Sequence, residues 1–307
     1  WTLNETGDVI GLEGKEYAFI KEAIRVTNHF LLEKRILIRP FHMEIQNGLT
    51  DTLTGIKYGL GSSAAIVVGV IGAIFCFHNQ DIDANKTAIF KLACIAHLKC
   101  QGNGSGADIA ASTFGGCLCY YRYDYNWLKN KLRNPNTKIS GLVETSWPNL
   151  NMENINFPSC IKVCVGWTRQ TVKTSPLVNQ MEAFQRKRPD LYKVFLEESK
   201  AAVMEFKKAC DLNYGAGVLS AIQQNKKALH YLSQISGIRL ETKEIKNLCN
   251  IADKYGKSKF SGAGGGDCGI AFLMNDDRIN ELKSEWKQAG IIPLDLDSYE
   301  HGIKMVP

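Results

Sequence analysis

The chain has 307 residues, 45% hydrophobic and 22% charged, enough for two domains with sizeable cores and a composition typical of globular proteins. Its net charge of +6 is mild, and its basic residues are scattered, with Lys129, Lys131 and Arg133 forming only a short cluster. A nucleic-acid face is therefore not expected, and an anionic metabolite fits better. The longest apolar stretch, Ala64 to Phe77, is too short to span a membrane, and the ten cysteines are spread through apolar periodic segments. Most of them read as buried thiols of a cytoplasmic protein rather than as a disulfide framework.

In chain order, Tyr17 to Phe30 has the spacing of an amphipathic helix, and Arg35 to Gln46 alternates like a strand. Ala64 to Phe77 predicts a buried helix with Val67, Val68, Ile71, Ile74 and Phe75 on one side and Gly69 and Gly72 permitting close packing. Asp83 is the expected cap of a helix over Asn85 to Lys99, and Cys117 to Tyr123 is β-like. Asn126 to Phe157 reads as a polar connection, with the domain boundary at its end: a first domain over 1–157 and a second over 158–307. Lys162 to Gly166 opens the second half as a strand. Helical periodicity follows around Leu177 to Phe184, Leu191 to Ala209, Val218 to Leu232, Ile245 to Tyr255 and Arg278 to Ala289, with a strand-like Gly269 to Leu273 between the last two. No internal repeat is evident, and the class is α+β.

Some chemistries are absent from this pattern. Cys117 and Cys119 share one face of a strand, but no second Cys or His pair has zinc-finger spacing. The six histidines share no motif, and His97 has no partner at i+4, so they read as structural or solvent-facing. Ser62 and Ser63 lie in Gly-Ser-Ser rather than Gly-x-Ser-x-Gly, which argues against a hydrolase.

Three glycine-rich loops carry the functional signal. In Lys57-Tyr58-Gly59-Leu60-Gly61-Ser62-Ser63-Ala64-Ala65 the glycines permit a tight turn and close approach to a ligand. Ser62 and Ser63 are placed to cap the following helix and to offer hydroxyls to phosphate or metal, at a helix N-terminus that favours anions. It is not a Walker A loop, because Lys57 precedes the glycines; an ordinary strand-to-helix turn is the alternative. Gly102-Asn103-Gly104-Ser105-Gly106-Ala107-Asp108 brings a carboxylate to a helix entry, as a cap or as a group that reaches a substrate. Lys259-Phe260-Ser261-Gly262-Ala263-Gly264-Gly265-Gly266-Asp267-Cys268 has four glycines in five residues, a run that suggests backbone against a ligand and an anion nest. Cys268 beside it is a candidate for chemical sensitivity.

With these loops the chain resembles the GHMP kinases over nearly its whole length. Gly59 to Ala65 looks like the family's ATP-phosphate loop and Ser261 to Asp267 like its C-terminal glycine motif. Gly102 to Asp108, Gly166-Trp167-Thr168, Lys259 to Cys268 and Gly290-Ile291-Ile292-Pro293-Leu294 look like the bacterial phosphomevalonate kinase branch. The resemblance implies a ribosomal S5-like first domain, a ferredoxin-like second domain, and an active site built from loops of both halves. It also implies transfer of the ATP γ-phosphate to 5-phosphomevalonate, giving the 5-diphosphate of the mevalonate route to isoprenoids.

Carried over by matching position, Lys57, Gly59, Leu60, Gly61, Ser62, Ser63, Ala64 and Ala65 are expected to hold ATP, and Asp108 falls at the active-site aspartate. Ser105, Lys259, Ser261, Gly262 and Ala263 are expected to line the acceptor. Ser62, Ser63, Thr174 and Ser175 are expected near Mg²⁺. For each of these, solvation or capping stands as the plain alternative. A phosphate acceptor needs less deprotonation than an alcohol, so the role of Asp108, base or positioning group, stays open. No partner beyond the small acceptor is implied, and the chain is expected to be a monomer or homodimer.

Two departures from the family stand out. Nothing before Gly59 matches its Pro-Gly-Lys element; the chain begins at Trp1 rather than methionine, and the expectation is that the natural protein carries that lysine upstream. Gly166-Trp167-Thr168 is followed by Arg169-Gln170-Thr171-Val172-Lys173-Thr174-Ser175, where relatives have small residues and serines, and Lys173 is either a substrate contact or a solvated charge. The rival readings are another enzyme of the family, such as mevalonate kinase or the diphosphate decarboxylase, and a catalytically silent nucleotide-binding protein.

Overall fold

The structure, a computed structural model, describes residues 2–4, 7–170, 174–262 and 264–306, with the side chains of Thr174 and Ser175 outside the description. The chain folds as two compact units, each with its own core. The chain passes from the first unit into the second after Asn154. Neither unit is continuous: residues 48–60 belong to the second and 298–307 to the first, which a division into halves could not anticipate.

Unit 1 opens with a short pair of strands, β1 (Thr2–Leu3) and β2 (Val9–Ile10), and continues as α1 (Ala18–Glu33), α2 (Ser62–Phe77) and α3 (Ile82–Gln101). These three helices pack on one another, with Phe30 stacked on Phe75 at 5.8 Å. All five large residues assigned to the inner side of α2 are buried. Gly72 leaves the room that Ile303 fills, since a Cβ there would stand 2.1 Å from Ile303 Cδ1, whereas Gly69 faces open space and has no packing role. The cap of α3 is Asp81, which accepts from Ala84 N at 2.6 Å; Asp83 lies inside the first turn and pairs with Lys86 at 2.9 Å.

Arg35 to Gln46 is not a strand, although Ile36, Ile38, Phe41 and Met43 are half-buried in alternation. Pro40 removes a ladder donor, and side chains hold the segment instead: the Arg39 guanidinium donates to Phe77 O, and His78 Nε2 accepts from Arg39 N at 3.2 Å.

After α4 (Ala107–Phe114) comes β3 (Cys117–Tyr121), and the supposed polar connection folds as α5 (Tyr125–Arg133), α6 (Ile139–Glu144) and β4 (Asn151–Ile155), the last paired with β3. Asp124 caps α5 through Trp127 N at 3.0 Å. The start of α6 is capped from a distance by the Glu33 carboxylate, which accepts from Ile139 N at 3.1 Å and Ser140 N at 2.6 Å.

Unit 2 contains β5 (Lys162–Trp167), α7 (Thr174–Lys187), α8 (Pro189–Asp211), α9 (Gly215–Ser236), α10 (Lys243–Ala252), β6 (Lys257–Phe260), β7 (Cys268–Leu273), α11 (Ile279–Gln288) and β8 (Ile292–Leu294). The four strands form one antiparallel sheet in the order β6-β7-β5-β8, the ferredoxin-like arrangement expected for this half. The sheet and helices enclose a core that includes Leu248, Phe260 and Trp286. Among the described residues no helix is long and apolar enough to cross a membrane.

Candidate active site

Two helix starts in unit 1 carry the first group of site residues. Helix α2 begins after Gly61, whose left-handed φ of 76° makes it the N-cap, and no side chain caps the helix. Ser62 and Ser63 are thus the first two helical residues rather than the caps the sequence suggested, and they place their hydroxyls at the positive end of the dipole. Helix α4 begins in the same way after Gly106, φ 82°, again without a side-chain cap. Asp108 is exposed in the first turn of α4, and its Oδ1 accepts from Ile109 N at 3.0 Å. A Cβ on Gly61 would stand 3.6 Å from Asp108 Cβ, so the carboxylate and the start of α2 are neighbours. The uncapped N-terminus of α2, with the carboxylate of Asp108 beside it, makes an anion-receptive surface with one negative group placed at its edge.

The loop that leads to Asp108 is braced. Ser105 Oγ accepts from Ala107 N at 3.2 Å, while the carbonyls of Gly102, Gly104 and Ser105 accept from Tyr125, Arg122 and Tyr120. His97, which the sequence left without a role, is buried beneath this loop with its ring 4.9 Å from Phe19. Burial pushes its pKa down, against the opposing charge of Asp108.

In unit 2, residues 48–60 form a turn closed by the Thr50–Lys57 bridge, and Tyr58 lies edge-on to Trp167 at 4.9 Å. Lys57 is exposed and Leu60 half-buried. Gly59 sits directly on Asp267: a Cβ would come within 2.7 Å of Asp267 Cβ and Cγ. Asp267 cannot retreat, because its carbonyl accepts from Thr168 N at 2.8 Å and Thr168 Oγ1 at 3.0 Å, and its N–H donates to Gln170 O at 3.0 Å. Alanine at a φ of 75° costs roughly 1–2 kcal/mol before this clash is counted. Gly59→Ala is expected to lower the thermal midpoint by several degrees. A wild-type midpoint in a thermal melt would show that the close approach has no consequence.

The glycine run after β6 has structural causes as well. Ser261 N donates to Cys268 O at 3.0 Å and Gly265 N to Leu240 O at 2.7 Å, while a Cβ on Gly264 would meet Leu240 O at 2.5 Å. Gly262 adopts φ 62° with open space around it. Ala263 lies outside the described residues, as do Lys173 and the side chains of Thr174 and Ser175. Cys268 is not the sensitive thiol its sequence neighbourhood suggested. It is buried, donates to Tyr58 O at 3.1 Å, and burial with Asp267 nearby pushes its pKa up to about 12.

Lys259, on β6, donates to Asn225 Oδ1 of α9 at 2.6 Å, and Asn225 in turn donates to Ser199 Oγ at 3.3 Å. Burial pushes the Lys259 pKa down. One residue away on each element, buried Lys226 meets Asp253 at 2.7 Å and Ser258 at 3.4 Å. The two lysines have different surroundings: Lys226 is neutralised by a carboxylate, whereas Lys259 donates to a neutral amide.

Comparison with known proteins gives two matching family models, the GHMP kinases N terminal domain over residues 18–116 and the GHMP kinases C terminal over 216–292. The chain belongs to the GHMP kinase family. Among relatives, the phosphomevalonate kinase of Streptomyces sp. (strain CL190) is 28% identical over 289 residues, covering 93% of this chain and 76% of that one. A Lin0012 protein from Listeria innocua superposes with a TM-score of 0.89 at 33% identity, over 97% of this chain and 82% of that one. Streptococcus pneumoniae phosphomevalonate kinase, solved in complex with phosphomevalonate and AMPPNP, gives 0.82 at 26%, over 94% and 82%. The two-domain GHMP kinase fold expected from the loops is thus the fold of this chain.

Within that fold, sequence reasoning missed His97, Asn225 and the braces at Tyr120, Arg122 and Tyr125. None of them lies in a glycine motif, and only contact between distant segments reveals them.

Proposed function

We propose that this GHMP kinase is a phosphomevalonate kinase, which transfers the γ-phosphate of ATP to the phosphate of 5-phosphomevalonate and forms 5-diphosphomevalonate. The observation that carries this is Asp108 set beside the uncapped start of α2, in a chain that matches phosphomevalonate kinases over most of its length. On this reading the N–H groups and dipole at the start of α2, after Gly61, receive the nucleotide phosphates, with Ser62 and Ser63 adding hydroxyls. Mg²⁺, where bound, neutralises charge on the transferring phosphoryl group, and Ser62, Ser63, Thr174 and Ser175 are its proposed neighbours. Hydroxyls in the first turn of α2 fit such a cation. Ser105, Lys259, Ser261, Gly262 and Ala263 are assigned to the acceptor, Lys259 supplying a cation that its neutral partner Asn225 does not cancel.

The acceptor oxygen is already anionic, so Asp108 acts mainly by aligning it and by shaping the local field rather than as an obligate base. The setting is taken to be the cytoplasm. The decisive experiment measures ADP release with Mg²⁺-ATP and, in separate reactions, 5-phosphomevalonate, mevalonate, 5-diphosphomevalonate, homoserine and galactose. Selective turnover of 5-phosphomevalonate is expected. A preference for mevalonate would reassign the chain within the family, and nucleotide binding without turnover of any acceptor would overturn the kinase reading.

A further inference from the structure

The loop from α3 to α4 has three glycines at positive φ, Gly102 at 74°, Gly104 at 147° and Gly106 at 82°. Such backbone has a large conformational entropy to lose, and a carboxylate at its end has a single position only if other groups hold the loop. Six consecutive residues supply three of them. The Tyr125 hydroxyl donates to Gly102 O, Arg122 Nη2 donates to Gly104 O at 2.9 Å, and the Tyr120 hydroxyl donates to Ser105 O at 2.8 Å.

Each donor is itself fixed. The Tyr120 ring meets Phe90 edge-on at 6.2 Å, and burial, with Cys94 next in effect, pushes its phenol pKa up, so the hydroxyl keeps its proton. The Arg122 guanidinium lies 5.3 Å from the Tyr125 ring centroid, and Lys129 Nζ of α5 lies 5.4 Å from the same ring. Gly106 is pressed beneath the group, since a Cβ would stand 2.8 Å from Tyr120 Oη and 3.2 Å from Tyr123 Cε1. In a trans peptide the N–H points opposite to the carbonyl, so holding these three carbonyls turns the N–H groups of Asn103, Ser105 and Gly106 away from the clamp.

We infer that Tyr120, Arg122 and Tyr125 form a carbonyl clamp that sets the position of Asp108, and that they are positioning residues for phosphoryl transfer. The catalytic half of this inference rests on the kinase reading above. Misplacement of a reacting group by about 1 Å costs on the order of 100-fold.

The test compares Tyr120→Phe, Tyr125→Phe, their double variant, Arg122→Met and Arg122→Lys in the full chain. Steady-state kinetics, thermal melting and hydrogen–deuterium exchange of residues 103–109 are measured for each. The double variant is expected to lose roughly 10- to 100-fold in kcat. Its KM for ATP and its melting midpoint stay near wild type, while exchange in 103–109 accelerates. Arg122→Lys keeps a donor for Gly104 O and is expected to recover most of the kcat lost in Arg122→Met. Unchanged kcat with unchanged exchange overturns the clamp, as does a loss that follows the melting midpoint alone. A rise confined to KM would make Arg122 a ligand contact and likewise overturn its positioning role. If the unaltered chain turns over no acceptor, the functional reading fails by itself. Exchange then decides the clamp: faster exchange in the double variant sustains it, and unchanged protection overturns it.

Discussion

Asp108→Ala is expected to lower kcat with the phosphorylated acceptor by roughly 10²–10⁴-fold, the range in which a single positioned acid–base or electrostatic group acts. Stability should not follow, because the side chain is exposed and its bond is to the N–H of the next residue. ATP affinity should change only modestly, since the start of α2 is shaped by Gly61 rather than by the carboxylate. Asp108→Asn separates two roles. If the carboxylate aligns the acceptor, the amide keeps the shape and part of the function, and the variant should outperform alanine; if it takes a proton, both variants should fall together. Wild-type turnover in Asp108→Ala, measured by coupled ADP release, would remove the residue from the mechanism.

The second large effect is expected at Lys259. Lys259→Ala deletes a charge-assisted donor of a kind that contributes about 1.5–3 kcal/mol, and should raise the KM for the anionic acceptor by roughly 10- to 100-fold with less change in kcat. A pH signature goes with it. Burial disfavours the ammonium, so the folded pKa lies below the ordinary lysine value of 10.5 that the unfolded chain retains. The folded protein therefore pays for holding this proton below its own pKa, and that penalty disappears as pH rises from the folded value towards 10.5. Across the same window the cation proposed to recognise the acceptor is lost. Acceptor KM should climb there while the contribution of Lys259 to stability improves, two trends of opposite sign from one titration. Lys259→Arg stays charged throughout and should lack the alkaline rise in KM. A KM flat across that alkaline range in wild type would show that Lys259 does not face the acceptor.

The parts of the fold legible in the sequence are those written in local pattern. The apolar run after Ser63 had to be buried, and the periodic segments of the second half fold as α7 to α11. Glycine spacing marked the starts of α2 and α4, because a left-handed residue at a helix entry is a local demand. What escaped was written in pairs of distant residues. Asn126 to Phe157 looked polar and irregular because the cap of α6 comes from Glu33, in another helix. Arg35 to Gln46 has the alternation of a strand, but alternation does not supply a neighbour to bond with, and Pro40 and Arg39 settle the segment otherwise. At the site, the sequence pointed to Asp108 and Lys259 but not to what holds them. Asn225 accepts from the Lys259 ammonium and the Tyr120 to Tyr125 group donates to backbone carbonyls, contacts that impose no motif.

Residues 298–306 run back into the first unit. Gly116 N donates to Tyr299 O at 2.8 Å and Ile303 N to Thr113 O at 3.2 Å, and Gly115 and Gly302 cross so closely that a Cβ on either would strike the other's backbone. Ile303 then fills the notch left by Gly72 in α2. During synthesis the helices α1 to α4 are made early, yet the segment that braces the end of α4 is made only after the whole second unit has been polymerised. The unit that carries Asp108 is thus completed only after the second has been made, and a chain released early should present an incomplete first unit to the cell's proteases.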